Sequence, residues 1–193
     1  MRVSKEAAAD NRRRILTAAA RLFRTHGIDR AGVDAITQAA GLTHGAFYSQ
    51  FESKEEVVAE ALGLVLDASR ELWAHDASAK DRKDSLEGII ERYLSPRHRD
   101  SLGAGCAVAA LGSDIARQPK KVRRVFTRRL AEGLELLAGL VPGRVASRRY
   151  DKAIRLYSTM VGALILARAV DEDALSRRIL QAVADELKSA TRD

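Results

Sequence analysis

Apolar residues recur at helical spacing along almost the whole chain, and no run of alternating β-branched residues competes with them. This feature predicts an all-α fold, because side chains three and four residues apart share one dry face only when the segment is wound as a helix. A first helix is expected at about Asp10 to Thr25, with Ile15, Ala19, Leu22 and Phe23 on one face and His26-Gly27 ending it. Two short helices follow near Val33 to Ala40 and Thr43 to Gln50. A longer one starts at Ser53, which stands at capping-box spacing from Glu56, and runs to about Trp73. Beyond a polar break from His75 to Asp81, helices are expected at about 82–95, 104–117, 120–141, 147–169 and 172–190, punctuated by Pro96, Pro119 and Pro142-Gly143. That makes about nine helices.

With 193 residues, 46% of them hydrophobic and 31% charged, the chain has the balance of a globular protein and room for a small head and a larger body. The longest apolar run, Met160 to Ala167, is broken by Gly162 and ends at Arg168, short of the roughly 20 residues a bilayer span requires. Met1 to Asp10 carries Arg2 and Lys5 with no apolar stretch behind them, so no signal peptide is expected and the predicted location is the cytoplasm. The single cysteine, Cys106, has no partner for an internal disulfide or a zinc site.

The formal charge of +7 points to an anionic partner without locating it. Residues 1–51 carry eight basic side chains (Arg2, Lys5, Arg12, Arg13, Arg14, Arg21, Arg24, Arg30) against four acidic ones. Segment 117–129 carries seven basic side chains and no acid, a pattern that also fits a plain solvated helix face.

The stretch Gly32 to Phe51, GVDAITQAAGLTHGAFYSQF, is the most informative. Ile36, Ala39 and Ala40 supply the expected buried side of a short helix, and Gly41 permits the left-handed turn that follows. Leu42 enters the core, Thr43 caps the next helix, and Phe47 and Phe51 anchor it inward. His44, Gly45, Ala46, Tyr48, Ser49 and Gln50 are left for the outer side. Small residues there allow close approach to a groove, and His44, Ser49 and Gln50 offer hydrogen bonds to phosphates or base edges.

In these residues the chain resembles the TetR family of repressors, whose head ends in a pattern of the type A-G-V-S-x-G-x-L/F-Y-x-x-F-x-S-K-E; here Ala40 to Glu55 reads AGLTHGAFYSQFESKE. The resemblance is specific over about residues 10–70. It implies a helix-turn-helix head at 1–52 and a ligand-binding and dimerisation body at 53–193. It also implies phosphate contacts from Tyr48 and Lys54, and a groove-facing set of His44, Ala46, Ser49 and Gln50. Gly32 and Val33 open the second helix; Ala31-Gly32 stands where many members carry Thr or Ser, and Gly32 serves as cap in its place. The implied protein is a homodimeric repressor without cofactor or metal, released from a near-palindromic operator in double-stranded DNA by a small-molecule effector.

Dimerisation is also suggested by the residues themselves: Leu156 to Ala167 is apolar nearly all round, and Leu175, Ile179, Val183 and Leu187 form a stripe on the last helix. Candidate effector-pocket residues are the larger side chains expected between body helices: Leu66, Trp73, Tyr93, Phe126, Met160 and Leu164, each of which could equally be ordinary core. Cys106 follows Gly105 at the start of a helix. This Gly-Cys resembles a subgroup of the family, some of whose members sense electrophiles or oxidants through such a cysteine; the alternative is a small buried hydrophobe. Arg168 is a candidate neighbouring charge.

An enzyme is not expected. Gly103-Ala104-Gly105 is a fragment of a phosphate loop with no third glycine, lysine or preceding strand, the four histidines lack metal-ligand spacing, and no serine-nucleophile motif occurs. The other rival is a structural DNA-binding protein without sequence preference.

Overall fold

The structure, a computed structural model, describes residues 5–77 and 82–190. Arg2, residues 78–81 of the expected polar break and residues 191–193 of the expected body lie outside the described residues.

Ten helices follow one another among the described residues: α1 (Lys5–His26), α2 (Val33–Ala40), α3 (His44–Tyr48), α4 (Lys54–Ala77), α5 (Arg82–Tyr93), α6 (Pro96–Asp100), α7 (Ala107–Ala116), α8 (Lys120–Leu140), α9 (Ala146–Ala169) and α10 (Asp173–Ala190). The all-α class is as the periodicity predicts. The helix not expected from the sequence is α6, where Pro96 does not interrupt a helix but opens one: it occupies the first turn, where no amide hydrogen is needed, and Ser95 Oγ accepts from the His98 amide at 3.1 Å. The fourth helix also runs past Trp73, through His75 to Ala77.

Local chemistry accounts for the boundaries that position the head. α1 buries Ile15, Leu16, Ala18, Ala19, Ala20 and Phe23 along one face and ends where Gly27 takes φ 87°, its amide returning to Phe23 O at 2.8 Å. Gly41 closes α2 at φ 63°; its amide reaches Gln38 O at 3.0 Å and the Leu42 amide reaches Thr37 O at 2.9 Å, the paired bonds of a Schellman motif. Thr43 Oγ1 then accepts from the Ala46 amide at 3.3 Å and starts α3. At α4, Ser53 Oγ accepts from the Glu56 amide at 3.2 Å, while Glu56 Oε2 reaches back to the Glu52 amide at 2.8 Å, one residue upstream of the usual reciprocal partner.

Two hydrophobic clusters form the interior. The first joins α1, α2 and α3 to the first half of α4 and includes Ala107, Leu111, Ile115 and Val122 from α7 and α8, so apolar packing continues across residue 52. The second joins the end of α4 to α5, α8, α9 and α10 around Ile89, Ile90, Leu137, Met160 and Leu164. In α2 the buried side differs from expectation at one position: Ala39 is exposed, and Thr37 is buried in its place, its hydroxyl satisfied by Val33 O and Asp34 O at 3.0 Å each. Leu42 is half-buried against the first cluster.

Candidate nucleic-acid interface and body cavity

The turn between α2 and α3 is held from behind. Arg14 Nη2 donates to Ala40 O at 2.7 Å and Gly41 O at 3.1 Å, capping carbonyls that α2 cannot satisfy internally. Arg12 donates to Gln50 O and pairs with Glu60 at 2.5 Å and Glu56 at 3.4 Å, with its guanidinium 4.1 Å from the Phe51 ring centroid. Arg12 therefore ties α1, the end of α3 and the start of α4 into one unit. Two of the basic residues counted in the head thus hold the fold.

Phe47 and Phe51 are fully buried beneath α3, which turns the other face outward. Tyr48 is 58% exposed and stacks on His44, ring centroids 5.2 Å apart, and His44 Nδ1 lies 3.3 Å from Asp34. Thr43 and Ser49 are exposed, Ala46 and Gln50 half-buried. Gly32 and Gly45 are exposed, and a Cβ at either would meet nothing within 4 Å, so the protein's own packing does not require glycine there. Of the other residues expected at DNA, Val33 turns inward against the first cluster, and Lys54 Nζ donates to Asp29 O, between α1 and α2, at 3.4 Å.

The body contains a cavity of about 640 Å³, within the range of small-molecule sites, between α1, α4, α5, α6, the 101–106 segment and α9. Leu64, Val65, Leu72, Trp73 and Ile89 supply its apolar wall. Trp73 meets the Tyr157 ring edge-on at 5.3 Å, and the Tyr93 ring lies 6.1 Å from Tyr157 and 4.7 Å from His98. Burial pushes both phenols well above the ordinary tyrosine range, which keeps them neutral. The Tyr157 hydroxyl lies 3.5 Å from Cys106 Sγ, whereas the Tyr93 hydroxyl has no hydrogen-bond partner among the described residues.

The neighbours of His98 set its tautomer. Nδ1 faces Tyr93 O at 2.7 Å, an acceptor, so it carries the proton; Nε2 accepts from the Cys106 amide at 3.0 Å, so it is bare. Burial lowers the His98 pKa, which favours the neutral ring this arrangement demands. The backbone is tight here: a Cβ on Gly105 would sit 2.6 Å from Ser101 O and 2.7 Å from Arg168 Nη2. Arg168 itself donates to Arg99 O at 3.0 Å and His98 O at 3.1 Å, fixing the end of α6 to α9.

A family model, bacterial regulatory proteins of the tetR family, matches residues 15–61, the head and the start of α4. The transcriptional regulator TtgR of Pseudomonas putida is 37% identical over 96 residues, 49% of this chain and 44% of that one, so the chain matches less than half the length of this relative. The transcriptional repressor BepR of Brucella suis is 36% identical over 179 residues, covering 86% of this chain and 80% of the relative. The chain belongs to the TetR family of bacterial transcriptional regulators. Its fold agrees with that of the reduced form of NemR from E. coli, at TM-score 0.78 and 18% identity over 93% of this chain and 96% of the other.

Within this TetR-family body, Trp73, Tyr93 and Cys106 lie on the cavity wall. The other four expected pocket residues do not. Leu66 points into the first cluster, Phe126 packs half-buried against the same cluster, and Met160 and Leu164 are wholly enclosed in the second. All four belong to the packing between helices and not to the wall of this cavity. The rest of the lining escaped the sequence reading, notably Tyr157, one turn before Met160 on α9; His98, on the short α6; and Arg24 and Ser69, whose polarity hid them among surface residues. Among the described residues no cluster of His, Cys, Asp or Glu is placed to hold a metal, and no helix is long and apolar enough to cross a membrane.

Proposed function

We propose that this protein is a homodimeric, sequence-specific repressor that binds a near-palindromic operator through residues 1–52 and leaves it when a small molecule fills the cavity in residues 53–193. The observation that carries this reading is α4, a single helix that packs its first half into the core of the head and presents Val65, Ser69, Leu72 and Trp73 to the cavity. A ligand that displaces the middle of a stiff helix also displaces its end. It weakens DNA binding only to the extent that it prefers the displaced arrangement.

Thr43, His44, Gly45, Ala46, Tyr48, Ser49 and Gln50 would meet the major groove and its phosphates, with Gly32 and Lys54 at the flanks. The open space at Gly32 and Gly45 supports close backbone approach to DNA. Ile165 and Leu166 on α9 and Leu175 in the first turn of α10 are exposed, apolar side chains that support pairing with a second copy. Two such heads engage successive major grooves about 34 Å apart. A chromosomal operator places this work in the cytoplasm.

Fluorescence anisotropy on the DNA flanking the protein's own gene, against scrambled DNA of equal length at physiological salt, tests the reading. A preference of about a thousandfold is expected. Equal weak binding to these DNAs and to every sequence recovered from a random-sequence selection would mean a structural DNA-binding protein instead.

Cys106 favours a second reading, in which an electrophile adds to its sulfur and triggers release. Its side chain lies on the cavity wall at the start of α7, within electrostatic reach of Arg24 and Arg168. Unchanged electrophile-induced release in Cys106→Ser would rule this reading out.

A further inference from the structure

The charges on the cavity wall all have one sign. Among the described residues the lining contains Arg24, Arg92 and Arg97 and no aspartate or glutamate. Arg24 is the most constrained of the three. It is half-buried, its Nε donates to Gly103 O at 2.8 Å, and its terminal nitrogens have neither a hydrogen-bond partner nor a carboxylate within 4 Å among the described residues. Desolvation accordingly lowers its pKa from the ordinary arginine value. Arg97, exposed at the rim, also has no carboxylate partner among the described residues. A partly desolvated cation with free donors is left with bonding capacity that an anionic group would complete. Leu72, Trp73 and Ile89, which also line the cavity, favour an apolar body.

We propose that the effector is an organic anion with an apolar body, its acidic group held by Arg24 with Arg97 at the rim and its body against Trp73. This rests on the reading of the cavity as the effector site. Arg24 is the residue that selects charge: a guanidinium fork matches carboxylate, sulfonate or phosphate oxygens in pairs, and no lining group among the described residues would neutralise a cationic ligand.

Trp73, the only tryptophan of the chain, provides the reporter. The full-length protein is titrated with 8-anilinonaphthalene-1-sulfonate and with N-phenyl-1-naphthylamine, the same ring system without the sulfonate, following Trp73 quenching and probe emission. Hydrophobic partition alone favours the neutral probe. The proposal expects the sulfonate to bind about tenfold tighter or more, Arg24→Met to remove that advantage while leaving the neutral probe unchanged, and Arg97→Gln to weaken the sulfonate about threefold. Arg97 is exposed and its side chain makes no hydrogen bond or ion pair among the described residues, so its variant stands as a check if Arg24→Met is poorly folded. Ala68→Phe, which narrows the cavity from α4, should weaken both probes. If the two probes bind equally, or if Arg24→Met and Arg97→Gln each weaken both alike, the anion proposal fails and the cavity stands as a ligand site. If neither probe binds, or Ala68→Phe leaves both unaffected, the cavity reading itself fails and the proposal with it.

Discussion

Arg12 offers the sharpest separation between a structural and a DNA-contacting role for the head's basic charge. Its side chain is one-third exposed and makes a charged bond to Gln50 O, pairs with Glu56 and Glu60, and covers the Phe51 ring. A charged hydrogen bond to a carbonyl contributes about 1.5–3 kcal/mol. The ring contact adds about 0.5–1 kcal/mol at such exposure. The screened carboxylate pairs add a few tenths of a kcal/mol each. These share one side chain and do not sum freely, so about 2–3 kcal/mol is expected to be lost in Arg12→Met. For a chain of this length each kcal/mol lowers Tm by about 2–4 °C, giving a drop of about 4–12 °C at fixed protein concentration. The paired assay is the salt dependence of DNA binding. A phosphate-contacting arginine contributes about one unit to the slope of log K against log salt, and Arg12→Met should leave that slope unaltered. An unchanged Tm with a slope flattened by about one unit would refute the structural assignment and return Arg12 to the DNA surface.

Three further predictions test other parts of the argument. Gly105→Ala forces a Cβ to within 2.6 Å of Ser101 O and should cost about 1–3 kcal/mol in urea denaturation, whereas Gly45→Ala, with open space around it, should leave stability unchanged within about 0.5 kcal/mol and weaken DNA binding. His98 has a folded pKa below its unfolded value, so the unfolded state takes up the proton first on acidification. Its contribution to stability is complete above about pH 6.5 and is lost as pH falls through the folded pKa; His98→Asn should flatten that acid limb in chemical denaturation, and an identical pH profile would refute the assignment. Leu166→Glu places a charge on a side chain 57% exposed on α9 and should yield a folded monomer by light scattering with reduced operator affinity; a dimer of unchanged mass would move the interface elsewhere.

The head was legible because its determinants are local. Gly41, Thr43 and Ser53 act within four residues of themselves, through a left-handed φ and two hydroxyl caps, and Phe47 and Phe51 lie one turn apart on α3 and just beyond it. None of these depends on what packs against the head from elsewhere. The cavity depends on little else. Tyr157 and Met160 lie one turn apart on α9, yet one lines the cavity and the other is sealed in the second cluster. Hydrophobic periodicity reports which side of a helix is dry; it carries no information on whether the space beyond is filled. α6, five residues long, is too short for any period to show.

The charged residues were the least legible, and they connect the two sites. Arg12, Arg14 and Arg24 are spaced along α1 like ordinary surface residues, but the first two hold the helix-turn-helix and the third reaches the 101–106 segment through Gly103 O. That segment is held on its other side by His98 at the Cys106 amide, while Asp114 Oδ2, on the helix that follows it, accepts from the Ile28 amide at 3.0 Å, just after α1. The cavity wall and the head therefore share backbone and side-chain anchors through α1 and α7 in addition to α4. A ligand that took up the Arg24 guanidinium, as proposed above, would act on the helix that carries Arg12 and Arg14 as well as on α4. If α1 carries the coupling, DNA release at saturating effector survives Ala68→Gly in the middle of α4 and is lost in Arg24→Met; if α4 carries it, Ala68→Gly weakens release and Arg24→Met at saturation does not. A double-mutant cycle on effector-induced DNA release decides between the two routes.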